Sequence, residues 1–323
     1  MIRDSKLCIY LSFVFLSACT LSGIKQEGPQ PPVPPASLTE HTESRSLLST
    51  PITPLAENLG EQAQRQLRSR YADTRANCGA DTLPAFLCSG ILIRGTASNP
   101  AFHVWNNSAA SQAKGGVSFS YLRKDTNYRQ SGYTNGYIFL PYRYAGAKIR
   151  PEIFCSFPLN AVTSARPEAG CGASPGVANS GSCETVGIVT AAQWWARYGG
   201  PSISQQQCGF NVRDVRDQYA GPAFDASIKV RVNFNDAQMA SHNELIIRAW
   251  QDNLGRTLPL EAFFYLTGTT GLQDAQRNQR DLKTTDGVVI PIISIRLARN
   301  ATDTATFYFF AADQVETMPP ARP

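Results

Sequence analysis

The body of this chain carries an even set of cysteines, which limits the folds open to it: Cys78, Cys88, Cys155, Cys171, Cys183 and Cys208. In an oxidising compartment six cysteines predict three disulfides, and six cysteines allow 15 pairings. Proximity along the sequence favours Cys78 with Cys88, Cys155 with Cys171, and Cys183 with Cys208. A zinc site is the alternative, but the chain has no CxxC pair and only three histidines, so no metal site is expected.

The N-terminus predicts export. A charged start, Met1 to Lys6, precedes an apolar run from Leu7 to Ala18, which is shorter than the roughly 20 residues that span a bilayer. The run ends in Leu16-Ser17-Ala18-Cys19, which resembles a bacterial lipoprotein signal. We therefore expect residues 1–18 to be removed and Cys19 to carry acyl chains such as palmitate, anchoring the protein to a membrane. Thr20 after the cysteine favours the outer membrane, and an ordinary cleaved signal is the alternative.

Composition divides the remaining chain into a spacer and one large domain. Residues 19–54 contain seven prolines among mostly polar and small residues, which predicts an extended tether. Residues 55–315 are expected to form a single domain, with a loop-rich, disulfide-containing insertion at 165–208 and a tail at 316–323. The net charge of +5 on 323 residues is mild and its basic residues are scattered, so no nucleic-acid partner is expected.

The hydrophobic pattern predicts an α+β domain dominated by strands, with peripheral helices. Apolar residues at helical spacing predict a first helix over 55–71, and shorter helices are expected at 190–198, 212–219 and 271–282. Period-two or β-rich runs predict strands at 86–94, 116–122, 137–140, 153–157, 243–250, 260–266, 288–297 and 304–311.

Polar residues on three of these predicted strands are the candidates for chemistry. The chain has no P-loop, GxGxxG or HExxH motif. Instead Arg94 ends one strand, Ser118 and Ser120 alternate on the next, and Glu244 begins a third after His242-Asn243. An arginine, a positioning hydroxyl and a carboxylate are the parts needed to cleave an N-glycosidic bond, because a carboxylate stabilises the oxocarbenium-like transition state.

This order resembles the Arg, Ser-Thr-Ser, Gln/Glu-x-Glu signature of bacterial ADP-ribosyltransferase toxins and NAD glycohydrolases. A second resemblance, to the secreted halovibrins, runs from about Leu55 to Val315. It is carried by the run from Asn77 to Asp125, which includes Phe102-His103-Val104-Trp105-Asn106, and by Gln207 to Asp214 and Leu258 to Tyr265. The resemblance implies an ADP-ribosyltransferase-like core with NAD as substrate and no further cofactor.

Carried over by position, the resemblance implies a role for each candidate residue. Arg94 would bind the dinucleotide's phosphates or brace the site, Ser118 would hold the catalytic carboxylate or NAD, and Glu244 would stabilise the cation. Ser120 is placed with the substrate-binding residues. His103 and Trp105 would line a nicotinamide pocket.

Several readings remain open. Glu261 is the rival catalytic carboxylate, because it lies within an apolar strand, where burying an unpaired charge would cost free energy. Asn243 could instead cap a helix that Glu244 begins. Phe119 replaces the central Thr of the signature, and His242 stands where Gln or Glu precedes the catalytic carboxylate.

The loss of the Gln or Glu favours water as acceptor over transfer to a protein. The expected function is an exported lipoprotein that hydrolyses NAD to ADP-ribose and nicotinamide. A toxin role, with a target or immunity protein as partner, would follow. The alternatives are a protein ADP-ribosyltransferase and a non-catalytic binding protein tethered at the outer membrane.

Overall fold

The computed structural model describes residues 59–98, 103, 105, 116–139, 152–161, 171, 181–199, 207–212, 218–235, 238–248 and 260–317. All of them belong to one unit of the chain, Thr39–Pro323. The predicted signal peptide, the anchor Cys19 and the tether lie outside the described residues and stay predictions. Within the described residues, no helix is long and apolar enough to cross a membrane.

The described elements form an α+β structure dominated by one sheet, as the pattern predicted. Its strands are β1 Ile91–Thr96, β2 Val117–Leu122, β3 Asn135–Phe139, β4 Glu152–Phe157, β5 Phe210–Asn211, β6 Glu244–Arg248, β7 Ala262–Leu266, β8 Ile292–Arg296 and β9 Thr306–Phe309. The helices are α1 Leu59–Ala72, α2 Ala191–Tyr198, α3 Ala220–Val232 and α4 Gly271–Asp286. Short 3-10 turns cover Ala85–Leu87, Cys183–Val186, Gln238–Ala240 and Ala311–Asp313.

The nine strands lie in the order β5-β4-β6-β2-β1-β3-β7-β8-β9. All neighbouring pairs are antiparallel except β7 with β8, which are parallel. A parallel pair needs a long crossover connection, and α4 supplies it. The order matters for function because β6, β2 and β1 are adjacent, although β6 lies more than a hundred residues later in the chain.

Both faces of the sheet are covered. On one face, Leu92, Phe119, Tyr137 and Leu245 pack with Phe224 of α3 and with residues of α4 in a first cluster. On the other face, Ile91, Ile93 and Leu122 pack with Ala63, Leu67 and Tyr71 of α1 in a second cluster. We call these the α3/α4 face and the α1 face. Because strand side chains alternate between faces, this division fixes where each candidate residue points.

The three disulfides have the pairing that sequence proximity favoured. Cys78 bonds to Cys88, Cys155 to Cys171, and Cys183 to Cys208. The last closes a loop that contains α2, whose Trp194 is buried and donates through Nε1 to the Cys208 carbonyl at 3.2 Å. Disulfides of this kind are typical of an extracellular or cell-envelope environment.

Two predicted elements are corrected. The strand expected from Phe86 begins only at Ile91, because Gly90 has φ +64° and the preceding residues form a 3-10 turn beside the Cys78–Cys88 disulfide. A Cβ on Gly90 would lie 2.2 Å from the Tyr121 ring, so the turn also needs glycine for space.

The helix expected over 212–219 is absent where that range is described, and α3 starts at Ala220 instead. Gly221 and Pro222 occupy the first turn of α3, where Pro is tolerated and where the Gly221 N–H donates to the Thr82 carbonyl at 3.0 Å. Glu316, in the predicted tail, contacts α4, because its N–H donates to Gln279 Oε1 at 3.3 Å.

Candidate functional site

The structure brings Ser118 and Glu244 into direct contact on the α1 face. Ser118 Oγ donates to Glu244 Oε1 at 2.5 Å, and Ser118 pairs across β2 and β6 with Ile246. Residues two apart on a strand share a face, so Glu244 and Ile246 both lie on the side of Ser118. The hydroxyl and carboxylate that the sequence placed 126 residues apart therefore form one hydrogen-bonded pair.

The second carboxylate oxygen of Glu244 is held by the main chain. The Ala161 N–H donates to Oε2 at 3.0 Å, from the turn that follows β4. Nearby, Cys155, Phe157, Ala161, Cys171 and Ile246 form a small buried cluster. The Cys155–Cys171 disulfide thus lies within the packing that supports the Ala161 donor. Glu244 itself is 4% exposed, so its charge lies at a fixed, largely desolvated position.

Asn243 sets the conformation of the chain before Glu244. Its Oδ1 accepts from the Tyr121 N–H at 2.8 Å, and its Nδ2 donates to the Tyr121 carbonyl at 3.1 Å. The side chain of Asn243 thus satisfies both main-chain groups of its neighbour on β2. Glu244 therefore begins a strand, and the alternative in which Asn243 caps a helix is wrong.

Arg94 approaches the pair from the opposite side of the sheet. It alternates with Ile93, so it shares the α3/α4 face with Leu92, and it pairs across the strands with Tyr137. Its guanidinium Nη1 donates to the main-chain carbonyl of Ser118 at 2.8 Å. Of the two roles that the resemblance implied for Arg94, bracing the site agrees with this contact.

A polar group next to the pair includes Ser120, Tyr128 and His242. Ser120 hydrogen bonds to Tyr128, whose ring lies 6.0 Å from that of His242. Burial raises the pKa of the Tyr128 phenol, against the opposing effects of Arg231 and Ser120. Burial, followed by the positive charge of Arg231, lowers the pKa of His242, while Glu244 and a hydrogen bond with the Gln130 main chain act in the opposite direction. His242 is therefore neutral at neutral pH.

Arg231 joins the segments around this group, and sequence reasoning missed it. From α3, it donates to the carbonyls of Thr126 at 3.0 Å, Pro158 at 3.0 Å and Ser241 at 2.6 Å. It is 0% exposed, and burial lowers its pKa to about 9, which leaves it charged at neutral pH. One guanidinium thus fixes the loop after β2, the turn after β4 and the entry to β6. An arginine between valines on a helix gives no sequence signal of such a role.

His103 and Trp105 lie apart from the Ser118–Glu244 pair. Trp105 is 1% exposed and packs in the first cluster, with its ring 5.8 Å from that of Phe263. His103 is exposed and stacks on Trp105 at 4.9 Å. Both rings of this stack are thus engaged with each other or with the core, and their predicted contact with nicotinamide remains a prediction.

Glu261 is well separated from Glu244. It is 3% exposed and immediately precedes β7, where its N–H donates to the Ile138 carbonyl at 2.8 Å. Strands β2, β1 and β3 lie between β6 and β7, and four spacings of about 4.8 Å put the two strand axes about 19 Å apart. The two carboxylates therefore cannot act on the same bond, since paired catalytic carboxylates lie within roughly 10 Å.

Among the described residues, no group of three or more His, Cys, Asp or Glu side chains could hold a metal ion. No protein family model matches the chain. A comparison with curated proteins finds no significantly similar sequence.

Proposed function

We propose that this protein hydrolyses NAD to ADP-ribose and nicotinamide, with an active site built on Glu244 and Ser118. The observation that carries the proposal is the carboxylate of Glu244, held at 2.5 Å by Ser118 Oγ and at 3.0 Å by the Ala161 N–H. A finer proposal follows, that the domain has an ADP-ribosyltransferase-like fold. It is supported by the adjacency of β1, β2 and β6, which carry Arg94, Ser118 and Glu244 in the order of the signature.

The chemistry needs one fixed negative charge. As the bond between ribose C1′ and the nicotinamide nitrogen breaks, its electron pair leaves with nicotinamide and positive charge develops on the ribose. Glu244 stabilises that charge without having to reorient, because both of its oxygens are already hydrogen bonded. Water then adds to C1′ and loses a proton, which gives ADP-ribose.

Arg94 and Ser118 act as positioning residues in this scheme. The Ser118 hydroxyl holds the Glu244 carboxylate in place. Arg94 in turn holds the strand that carries Ser118, because its guanidinium donates to the Ser118 main-chain carbonyl. An arginine that donates to a backbone carbonyl from the other sheet face restrains where the serine lies. Loss of either residue should therefore lower turnover less than loss of Glu244.

Hydrolysis is favoured over transfer to a protein acceptor by the surroundings of His242. This residue stands two positions before Glu244, where the signature has Gln or Glu. Its ring packs against Tyr128 and hydrogen bonds to the Gln130 main chain, so it is engaged in holding the loop after β2. A side chain engaged in these contacts does not position a protein acceptor for ADP-ribose, so water is the acceptor.

The test measures nicotinamide release from NAD by chromatography, with the purified domain and its disulfides intact. Glu244→Gln keeps the size of the side chain and one acceptor oxygen but removes the charge, so we expect kcat to fall by about a hundredfold or more. Glu261→Gln is the matched control, a buried glutamate just before the distant strand β7, and should keep wild-type turnover. Unfolding midpoints of both variants show whether the fold is retained.

The alternatives predict different results. Turnover that survives in Glu244→Gln and is lost in Glu261→Gln would move the catalytic role to Glu261. A wild-type protein that releases no nicotinamide would refute the enzyme and support the binding protein. Labelling of a protein acceptor by NAD would replace hydrolysis by transfer.

We also propose that the protein is a lipoprotein of the outer membrane, anchored through Cys19. The support is the sequence Leu16-Ser17-Ala18-Cys19 after an apolar run, together with three disulfides in the folded domain. The wild-type protein should incorporate labelled palmitate and fractionate with outer membranes. Cys19→Ala should do neither, and a wild-type protein without label would contradict the anchor.

A further inference from the structure

We propose that a pocket at the end of β7 and β8 binds a small phosphorylated organic molecule. The cavity has a volume of about 600 Å³ and lies between the loop after β2, the turn before β6 and the ends of the two strands. Its size falls in the range of small-molecule sites, about 300–1,000 Å³. Binding of a phosphorylated molecule here can be measured without NAD hydrolysis, and only its identification with the substrate's diphosphate rests on the proposed function.

The pocket is positively charged. Arg129, Arg296 and Arg299 line it, and the carboxylate of Asp303 pairs with Arg296 and Arg299. Arg296 donates to both oxygens of Asp303, at 2.8 and 3.3 Å, and Arg299 Nε donates at 3.2 Å. The hydrogen bond from Arg296, followed by the main-chain N–H of Arg299, holds the pKa of Asp303 well below its usual range. Of the residues that line the pocket, three carry a guanidinium group and none carries a carboxylate.

The donors suit a phosphate group. A guanidinium presents several N–H groups in one plane, which matches the oxygens of a phosphate. Arg299 lies at the mouth with 81% of its side chain exposed, and Arg296 lies deeper with 35% exposed. Thr267 and Thr269, which follow β7, also line the pocket, and their hydroxyl groups are engaged with Ser294 and with the Leu266 carbonyl. The donors available to the ligand are therefore the guanidinium groups.

The rest of the lining is apolar, which favours an organic molecule over a bare phosphate ion. Apart from Gln130, the remaining lining residues are apolar: Leu266, Leu297 and Ala240 are partly exposed, and Ile295 and Ala298 are buried behind them. Apolar surface of this kind gains free energy when a ligand covers it. A nucleotide has both parts that the lining accommodates, a charged phosphate end and a flat, weakly polar body.

One wall of the pocket is shared with the Ser118–Glu244 site. The Gln130 N–H donates to the Ala240 carbonyl at 3.0 Å, and the Gln130 main chain also hydrogen bonds to His242, two residues before Glu244. Two ligands would supply both a phosphate group and an organic body: a free nucleotide, and the ADP half of the dinucleotide substrate. Experiments can distinguish them.

The test uses isothermal titration calorimetry with ADP and with inorganic pyrophosphate. ADP should bind to the wild-type protein more tightly than pyrophosphate, because only ADP covers the apolar surface. Arg129→Gln and Arg299→Gln should each raise the Kd for ADP by about tenfold. Arg280→Gln, an exposed arginine of α4 outside the pocket, is the matched control and should bind like wild type. Affinity should also fall as salt is raised.

The outcomes separate this pocket from the catalytic proposal. Glu244→Gln should bind ADP like wild type, whether or not it hydrolyses NAD. If ADP inhibits NAD hydrolysis competitively, the pocket holds the substrate's own diphosphate, and absence of inhibition identifies a separate nucleotide ligand. No heat from ADP at about 1 mM, or equal affinity in the wild type and both pocket variants, would overturn the site. Equal affinity for ADP and pyrophosphate would overturn the organic ligand.

Discussion

Replacement of Arg231 by lysine tests whether one buried side chain holds the candidate site together. Lysine keeps the positive charge and most of the stem, but its single ammonium group cannot reach three carbonyls that belong to three different segments. The carbonyls of Thr126 and Pro158 are buried at these hydrogen bonds, and that of Ser241 is partly buried. The variant therefore isolates the contribution of the guanidinium geometry.

The magnitude follows from the acceptors left without a donor. If the ammonium group keeps one of the two buried carbonyls, the other loses its donor at a cost of about 1–3 kcal/mol, and the Ser241 carbonyl adds about 1 kcal/mol. We expect Arg231→Lys to lower the free energy of unfolding by about 2–4 kcal/mol. With a urea slope of about 3 kcal/mol per M, the midpoint should fall by about 1 M.

The assay is equilibrium urea unfolding followed by tryptophan fluorescence, with the disulfides intact. Arg280→Lys on the exposed side of α4 is the control and should stay within about 0.5 kcal/mol of wild type. Because Arg231 holds the turn after β4 and the chain just before Glu244, nicotinamide release should fall as well. A midpoint for Arg231→Lys within about 0.2 M of wild type would refute the argument that these carbonyls depend on the guanidinium.

Two further predictions concern the disulfides and pH. Removal of the Cys183–Cys208 disulfide by a double alanine substitution should cost about 3.5 kcal/mol, against about 2.7 kcal/mol for Cys78–Cys88, because the closed loops span 25 and 10 residues. Urea midpoints in the reverse order would contradict the loop-entropy argument. His242 has a lowered pKa in the folded protein, so the unfolded chain binds more protons below about pH 6.5 and stability should fall as the pH drops from 7 to 5. His242→Gln should flatten that pH dependence of the midpoint, and an unchanged slope would show that another group is responsible.

Local sequence information accounts for the features that were predicted correctly. The disulfide partners lie 10, 16 and 25 residues apart, so chain proximity alone favours their pairing. The capping pair Thr190 and Gln193 begins α2, at the start of the helix expected over 190–198. Alternation along β2 likewise places Ser118 and Ser120 on one face before any partner strand is known.

Features that depend on the order of the strands needed the tertiary structure. The sequence cannot tell that β6 enters the sheet beside β2, and this placement is what joins Glu244 to Ser118 while leaving Glu261 four strand spacings away. Arg94 pairs with Tyr137 on β3, which places its side chain on the α3/α4 face. Only the three-dimensional structure shows that its guanidinium donates to the Ser118 carbonyl from that face, opposite to the Ser118 side chain.

The sequence by itself therefore determined most of the local elements, favoured the disulfide pairing that forms and supplied the candidate residues. The tertiary structure decided which of those residues meet. It also revealed the roles of Ala161 and Arg231. Ala161 donates its main-chain N–H to Glu244, and Arg231 donates to three main-chain carbonyls. Main-chain groups are present at every residue, so their role at a site depends on long-range packing alone and leaves no mark in the pattern of side chains.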